Sequence, residues 1–528
     1  MTQEQTTPEI LPIPDQINHY KTMISRLNHI GIMLSAEKNT NKLLDMILDE
    51  SMQIANCDAA SIYVKEEKDN LPILKFTNTR NTSRDFPFKG FSMPIDTNSI
   101  SGSCAYTGES YNFESMDDIP RILGFKYNDF FDKTINYHTM TMLVIPMKDI
   151  KGEIVGVLQL INKKRNFEAK LNTEEDFKLQ VIPFEKEEES IIFSLASQTA
   201  VLLERNSLME EIQRLFDSFV ESMVTTIEKR DPTTSGHSIR VAKYVEYFAK
   251  AVNRVNYGPY KDVFFTEVQL QELHYAALLH DIGKIGVSEF VLTKQNRLTD
   301  SELQAVIYRF NYYKKSLEFK KSLAFKKIQE PLDEKEEFLL NNLEDYCKFV
   351  IALNTKGFLP DEEEEKLKFI SSLEIEDLGG EVKPLLSEYE VTNLIVKKGN
   401  LTNSDRNQMN MHADYTYQIL KDIPWLKALK SVPKIAADHH EKLNGNGYPN
   451  HLKTDEIKVQ SKMLAIIDIF EALTAIDRPY KKAMPVDKAL KILEEEASFN
   501  SIDKDLLEIF IKEELFDTCL KVDCVGGN

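Results

Sequence analysis

The sequence predicts a multidomain chain. An α+β domain, an antiparallel sheet with helices, is joined by a long helix to an all-α domain. Three observations carry this reading. Short β-rich runs are confined to the first third of the chain. One helical pattern runs without Gly or Pro from about 185 to 230. Beyond it, apolar residues keep 3–4 spacing and no strand alternation of any length follows. At 528 residues the chain exceeds one ordinary hydrophobic core.

The elements follow in order. Residues 1–18 are polar, with Pro8, Pro12 and Pro14, and read as a tail. No basic stretch followed by an apolar one opens the chain, so no secretory leader is expected. The first domain is set at 19–205. Leu43, Leu44, Ile47, Leu48 and Met52 recur at helical spacing, and β-rich runs follow at 60–64, 73–76, 142–147 and 154–161. Lys151-Gly152 reads as the hairpin turn between the last two.

A helical connector is set at 206–230, where Leu208, Ile212, Phe216, Phe219 and Met223 make an apolar stripe. A helix between two domains has few places to bury such a stripe, so a homodimer is expected, with packing on its own domain as the alternative. Asp231-Pro232 ends the helix. The all-α domain is set at 216–528, overlapping the connector. Within it, about 310–392 is rich in Lys, Glu and Leu and includes the acidic run 361–365. Similar segments flank that stretch at 292–299 and 396–402, so it reads as a mostly helical insertion and its acidic run as a solvated face.

Composition excludes several classes. Hydrophobic residues at 42% and charged residues at 28% are ordinary for a globular chain. A net charge of −19 repels phosphate backbones, which argues against polymeric nucleic acid as a partner while leaving room for a local phosphate pocket. No apolar run approaches the roughly 18 residues of a membrane span. Five scattered cysteines without a CxxC pair suit a reducing cytoplasm, and Cys519 with Cys524 is a weak candidate for a redox or metal pair.

Chemistry concentrates in the second half. His280-Asp281 follows the apolar run 276–279, His439-His440-Glu441 forms a second cluster, and His237 and His412 stand near the starts of helical patterns. Asp468 lies in a helical stretch whose flanks are apolar. A carboxylate there costs several kcal/mol, on the order of idealised desolvation penalties, unless it is paired or metal-bound. A cap or a salt bridge is the plainer reading, but the apolar pattern continues through the residues before it. Adjacent ligands on a helix project about 100° apart, so one can face a centre and its neighbour the gap between two. A carboxylate bridges two cations readily. Five histidines with two aspartates suit Fe, Mn or Zn better than Mg or Ca. Lys284 lies four residues after His280 and shares its face if the helix continues. Such a lysine is ordinarily a surface residue; beside a two-metal centre it becomes a phosphate anchor. The chemistry implied is hydrolysis of a phosphate ester. Gly445-Asn446-Gly447-Tyr448-Pro449 by itself is only a turn.

Together these residues resemble the HD-GYP family of cyclic dinucleotide phosphodiesterases. The resemblance rests on Gly236-His237, the run from His280 to Gly286, His412, the run from His439 to Pro449, and Asp468 with the run from Asp477 to Lys482. It implies an all-α HD domain that binds two or three metals, commonly iron or manganese. It also implies hydrolysis of cyclic di-GMP to pGpG, with onward cleavage to GMP as an optional second step. 3′,3′-cyclic GMP-AMP hydrolysis and an inactive dinucleotide-binding scaffold stand as alternatives. The implied metal ligands are His237, His280, Asp281, His412, His439, His440 and Asp468. Asp281 and Lys284 would carry the chemistry, with Lys284 on the scissile phosphate. Arg478 and Lys481 would reach the other phosphate, and Tyr448 would shape the site. Three departures stand out. The gap from His280 to His412 is far longer than is usual in the family. Thr233 replaces a glutamate that brings a third metal in some members, so two metals are expected, with Glu228 nearby. Glu471 stands where many members have Asp.

The first half resembles a GAF sensor domain, through 101–109 and 152–163. Asn162, Lys163, Phe184 and Glu188 approximate a pattern found in cyclic-nucleotide-binding members. The resemblance implies a cyclic nucleotide as ligand. Another small ligand, or a purely dimerising domain, is the alternative.

Overall fold

The computed structural model describes residues 28–37, 39–69, 71–85, 90–124, 127, 129–231, 236–326, 330–376, 379–475 and 483–518. The tail, Thr233, Arg478, Lys481, Cys519 and Cys524 lie outside the described residues. The chain divides into two compact units, Met1–Leu215 and Phe216–Asn528.

The first unit opens with helices α1 (28–36) and α2 (Thr40–Ile54). Its sheet comprises β1 (Cys57–Lys68), β2 (Leu71–Asn81), β3 (Ser92–Pro94), β4 (Tyr111–Phe113), β5 (Met142–Lys148) and β6 (Ile154–Lys163), in the order β3-β2-β1-β6-β5-β4. Every pairing is antiparallel. Alternation in β5 shows why the sheet has two covered faces. Leu143, Ile145 and Met147 join the core under α2, while Met142 and Val144 join a second core on the other side. That second core includes Ile100 and Cys104 of α3 (Ile100–Thr107). Short helices α4 (Ile119–Leu123), α5 (Phe130–Ile135) and α6 (Glu174–Gln180) complete the unit.

Helix α7 runs from Lys186 to Arg230, 45 residues. The expected apolar stripe divides between two faces. Phe216 and Met223 turn to the core of the second unit beside Val220, Val224 and Ile227. Leu208, Ile212, Leu215 and Phe219 stay exposed. At about 100° per residue the five positions fall within one arc of about 80°, with Phe216 and Met223 toward one edge, so a single stripe straddles the packed and the exposed sides of the helix.

The second unit packs α8 (His237–Val252), α9 (Glu267–Leu279), α15 (Asn403–Lys421), α16 (Val432–Ala437), α17 (Val459–Thr474), α18 (Val486–Ser498) and α19 (Lys504–Lys512) around one core. Thr266 with Gln269 and Thr402 with Asp405 form capping boxes that fix the starts of α9 and α15.

Between them lies a separate core running from Leu298 to Leu394. It is wider than the 310–392 expected from composition. After the short α10 (Glu289–Leu292) it contains α11 (Asp300–Phe325), α12 (Glu334–Asn354), α13 (Asp361–Ser371) and α14 (Glu388–Leu394). It also holds a hairpin of β7 (Glu374–Glu376) and β8 (Val382–Pro384), so the insertion is mostly helical as expected but the domain is not all-α. Each strand has three residues and β8 is wholly exposed, so there is no alternation to read. The neck of the insertion is held by Arg297, which is fully buried and donates to the backbone oxygens of Lys356, Leu394 and Val396. The two flanking segments each end in a capping threonine, Thr299 for α11 and Thr402 for α15.

Candidate metal centre

Three helix termini and two helix interiors, those of α15 and α17, bring the ligand-type residues together. His237 is the first residue of α8. Its Nε2 lies 3.1 Å from Asp468 Oδ1 and 3.3 Å from His280 Nε2. Its Nδ1 bonds to Glu471, whose other oxygen accepts from Arg240 Nε at 2.7 Å. Asp468 projects from within α17 with its side chain 14% exposed, so it is neither a cap nor a surface carboxylate.

His280 closes α9 as its C-cap, and the backbone then tightens into a 3₁₀ turn, Ile282–Gly286. The expected continuation of the helix past His280 does not occur. Helix α15 crosses there so closely that a Cβ on Gly283 would sit 1.9 Å from the His412 carbonyl oxygen. Thr416 Oγ1 fastens the crossing, donating to the His280 carbonyl at 2.9 Å and accepting from Gly283 N at 3.0 Å. Lys284 therefore reaches the centre by the 3₁₀ turn instead of an α-helical face. Its Nζ is 2.8 Å from Asp281 Oδ2 and 3.0 Å from Asp231 Oδ2.

Asp281 stands between two groups of histidines. Its Oδ2 is 3.5 Å from His280 Nε2 and its Oδ1 is 3.5 Å from His412 Nε2. His412, His439 and His440 form one set whose ligand atoms all lie within 4.8 Å, and His237, His280 and Asp468 form another. His280, Asp281 and His439 make a third, linking set.

The outer nitrogens of the rings are already committed. His280 Nδ1 bonds to the Ala277 carbonyl at 2.7 Å, His412 Nδ1 to Met409 at 2.6 Å and His439 Nδ1 to Ala436 at 2.6 Å. A backbone acceptor on Nδ1 fixes the proton there and leaves the Nε2 lone pair facing inward. Among the described residues, His412 Nε2 and His439 Nε2 are buried with no hydrogen-bond partner. Such orphaned lone pairs are costly unless something else occupies them. The donor set and its unfilled nitrogens fit a pair of cations.

Electrostatics agree. Burial pushes His439 well below the ordinary imidazole value and His440 down to about 3, helped by the neighbouring imidazoles. Both are therefore neutral at pH 7 and able to ligate. Burial alone would lower His237, but hydrogen bonds to Asp468 and Glu471 outweigh it and raise it to about 9. Burial opposes ionisation of Asp281, yet the Lys284 ammonium and surrounding histidines hold it well below the usual carboxylate range.

The Gly-Tyr-Pro loop closes one side. Glu441 is buried and accepts from Asn450 N at 2.6 Å and Leu452 N at 2.9 Å, which ties the loop back to the histidine pair. Gly447 is required by close approach, since a Cβ there would lie 2.2 Å from Lys442 N. The Tyr448 ring sits 4.8 Å from that of His440. Burial, then the charges of Asp468 and Asp281, raise its phenol, which stays protonated.

Among the residues that support these groups, the sequence singles out Glu228 and Glu471 without their supporting roles and does not single out Arg240. Asp231 was read only as a helix breaker, yet it pairs with Lys284. Arg240 and Glu471 lie three residues after His237 and Asp468, the spacing at which helix side chains share a face, and that signal would have found them. Glu228 accepts from the backbone amides of Gly236 and Ser238, so it fixes the start of α8.

In the first unit, Lys163 Nζ lies 2.7 Å from Glu188 Oε2 and 3.5 Å from Glu185 Oε1, which ties β6 to the start of α7. Asn162 adopts φ 55°, and its side-chain oxygen accepts from Met140 N and Thr141 N at 2.8 and 3.2 Å. Phe184 is buried, and its carbonyl accepts from Asn112 Nδ2 at 3.2 Å.

Comparison with known proteins sorts both units. The GAF domain family matches residues 39–203. The HD domain family matches twice, at 234–346 and 389–506. The chain is a GAF–HD domain protein. Among curated relatives of this GAF–HD protein, the 3′3′-cGAMP-specific phosphodiesterase 3 of Vibrio cholerae is 26% identical, over 53% of this chain and 36% of the relative. A cyclic di-GMP phosphodiesterase of Thermotoga maritima is 28% identical, over 40% of this chain and 62% of the relative. The alignments thus span between about a third and three fifths of those relatives' lengths. The GAF domain of an Acinetobacter phosphoenolpyruvate-protein phosphotransferase is 15% identical with a TM-score of 0.27, covering 35% of this chain and 95% of that structure. Among the described residues, no helix is long and apolar enough to cross a membrane.

Proposed function

We propose that this chain is a metal-dependent phosphodiesterase that hydrolyses cyclic di-GMP to pGpG under the control of its GAF domain. The observation that carries the reading is Asp281. It stands between two imidazole sets and is paired with a lysine that keeps one ammonium N–H uncommitted.

His237, His280 and Asp468 would hold one ion and His412, His439 and His440 the other, with Asp281 bridging. Two ions, iron or manganese, supply Lewis acidity for water activation and charge neutralisation at the phosphate when bound. Lys284 is kept protonated by Asp281 and Asp231 and directs its remaining N–H at the scissile phosphate. Tyr448, whose ring lies 4.8 Å from that of His440, is assigned to substrate binding. Arg478 and Lys481 are assigned to the second phosphate. The exposed α7 face of Leu208, Ile212, Leu215 and Phe219 supports a homodimer built along that helix.

The test is elemental analysis of the purified protein, with turnover assays on cyclic di-GMP under anaerobic and aerobic conditions. Two equivalents of transition metal and pGpG as product are expected; metal-loaded protein that leaves the dinucleotide intact refutes the reading. Lys284→Ala keeps the metals and weakens substrate handling, seen as a raised KM. A second reading, 3′,3′-cyclic GMP-AMP as substrate, is favoured by the named specificity of the Vibrio relative. Competition between the two dinucleotides in one assay separates them.

A further inference from the structure

The first unit contains a cavity of about 380 Å³ between the sheet and the start of α3. That is roughly a dozen water volumes, at the small end of ligand sites and too small for a cyclic dinucleotide. Its wall is aromatic. Phe76 and Phe91 stack with ring centroids 4.9 Å apart, and Tyr63 meets Phe76 edge-on at 5.3 Å.

The charged groups on this wall are all of one sign. Among the described lining residues there are two carboxylates, Asp96 and Asp132, and no lysine, arginine or histidine. Lys163 is turned to Glu188 and Glu185 instead. At the start of α3, Gly102 N donates to Ser99 Oγ at 3.1 Å. Among the described lining residues a phosphate would therefore meet two like charges and no cationic side chain.

Asp132 is built to receive a cation. Its oxygens accept from Thr139 N at 2.9 Å and Thr139 Oγ1 at 2.8 Å, with Tyr127 Oη at 3.5 Å. A carboxylate offers about four acceptor positions, so one remains open. Burial raises its affinity for a proton, against the hydrogen bonds from Thr139 and the nearby His138, which lower it. At the opposite end, Tyr63 Oη and Ser101 Oγ both donate to Gln159 Oε1, at 3.1 and 3.2 Å, so that end is satisfied internally.

We propose that this cavity binds a small organic cation, an ammonium or amidinium on a flat apolar body, with its charge against Asp132 and its body against the aromatic wall. Carboxylate and aromatic faces act together on such a ligand, one through a charge-assisted hydrogen bond and the other through cation–π attraction. The site does not depend on the phosphodiesterase reading, and its test reads only binding.

The experiment uses the full chain and thermal unfolding followed at increasing benzamidine or 2-phenylethylamine. Benzamide and 2-phenylethanol serve as neutral counterparts, with cyclic GMP and cyclic AMP as anions. Saturable stabilisation by the cations alone is expected, with the response lost in Asp132→Asn and weakened in Asp96→Asn. Asp132→Asn retains an acceptor for Thr139. Should that variant not fold, the contrast between benzamidine and benzamide in the unaltered chain still decides. Stabilisation by either cyclic nucleotide, an equal response to benzamide, or no response to either cation up to about 10 mM overturns the proposal. So does a cation response that survives both substitutions.

Discussion

Each unit buries charge, but in opposite ways. In the GAF unit, Lys164 and Asp58 are both fully buried and 2.9 Å apart. Lys164 Nζ also donates to Thr82 Oγ1 at 3.1 Å and the Ala169 carbonyl at 2.7 Å, so its three hydrogens are used. Asp58 accepts further bonds from Thr82, Ser83 and Tyr137. In the HD unit, the buried imidazoles of His412 and His439 each keep an Nε2 without a partner. The first arrangement is complete in itself and holds strands and loops in register. The second is complete only with something added. Burial of polar groups thus separates scaffold from site by whether every valence is filled.

The largest effect that would break this contrast is expected at Asp281. Asp281→Asn should lose bound metal by elemental analysis and drop turnover to background, while the far-ultraviolet spectrum is unchanged. Full turnover in that variant would remove the centre from the account. The counterpart in the GAF unit is Lys164→Met, which leaves Asp58 buried without its cation. It should cost about 3–5 kcal/mol in urea unfolding, and pairing it with Asp58→Leu should recover most of the loss, because the pair's worth is largely the penalty of breaking it. A smaller effect is expected for Glu471→Gln, which loosens His237: about 10–100-fold in metal affinity or activity, read by competition with a chelator. The smallest change in the two sites themselves comes from Leu215→Asp on α7. It should convert the proposed homodimer to a monomer by sedimentation and leave metal content alone.

Much of the fold was legible because burial imposes periods. The apolar runs of β5 and β6 are nearly continuous because both faces of that sheet are covered. The ligand-type residues stood out because a carboxylate such as Asp468 rarely sits amid apolar neighbours. What the chain did not disclose depends on how elements cross. The helix break after His280 comes from α15 pressing on Gly283, some 130 residues distant in sequence. The split stripe on α7 follows from two different neighbourhoods, one packed against the HD core and one exposed. Asp231 was hidden because its partner, Lys284, lies 53 residues away on a turn that no local pattern announces.

Arg297 carries a wider consequence. The chain departs into the insertion and returns from it where the Arg297 guanidinium grips Leu394 and Val396 and Lys294 pairs with Asp405. With the two ends stitched together, added length between them contributes little loop-closure entropy, about 0.6 kcal/mol per doubling for a flexible chain. The HD unit is thereby indifferent to the size of what hangs there. The same spot is a natural splice point, where a lineage can acquire, trade or discard a whole cassette without disturbing the histidines on either side.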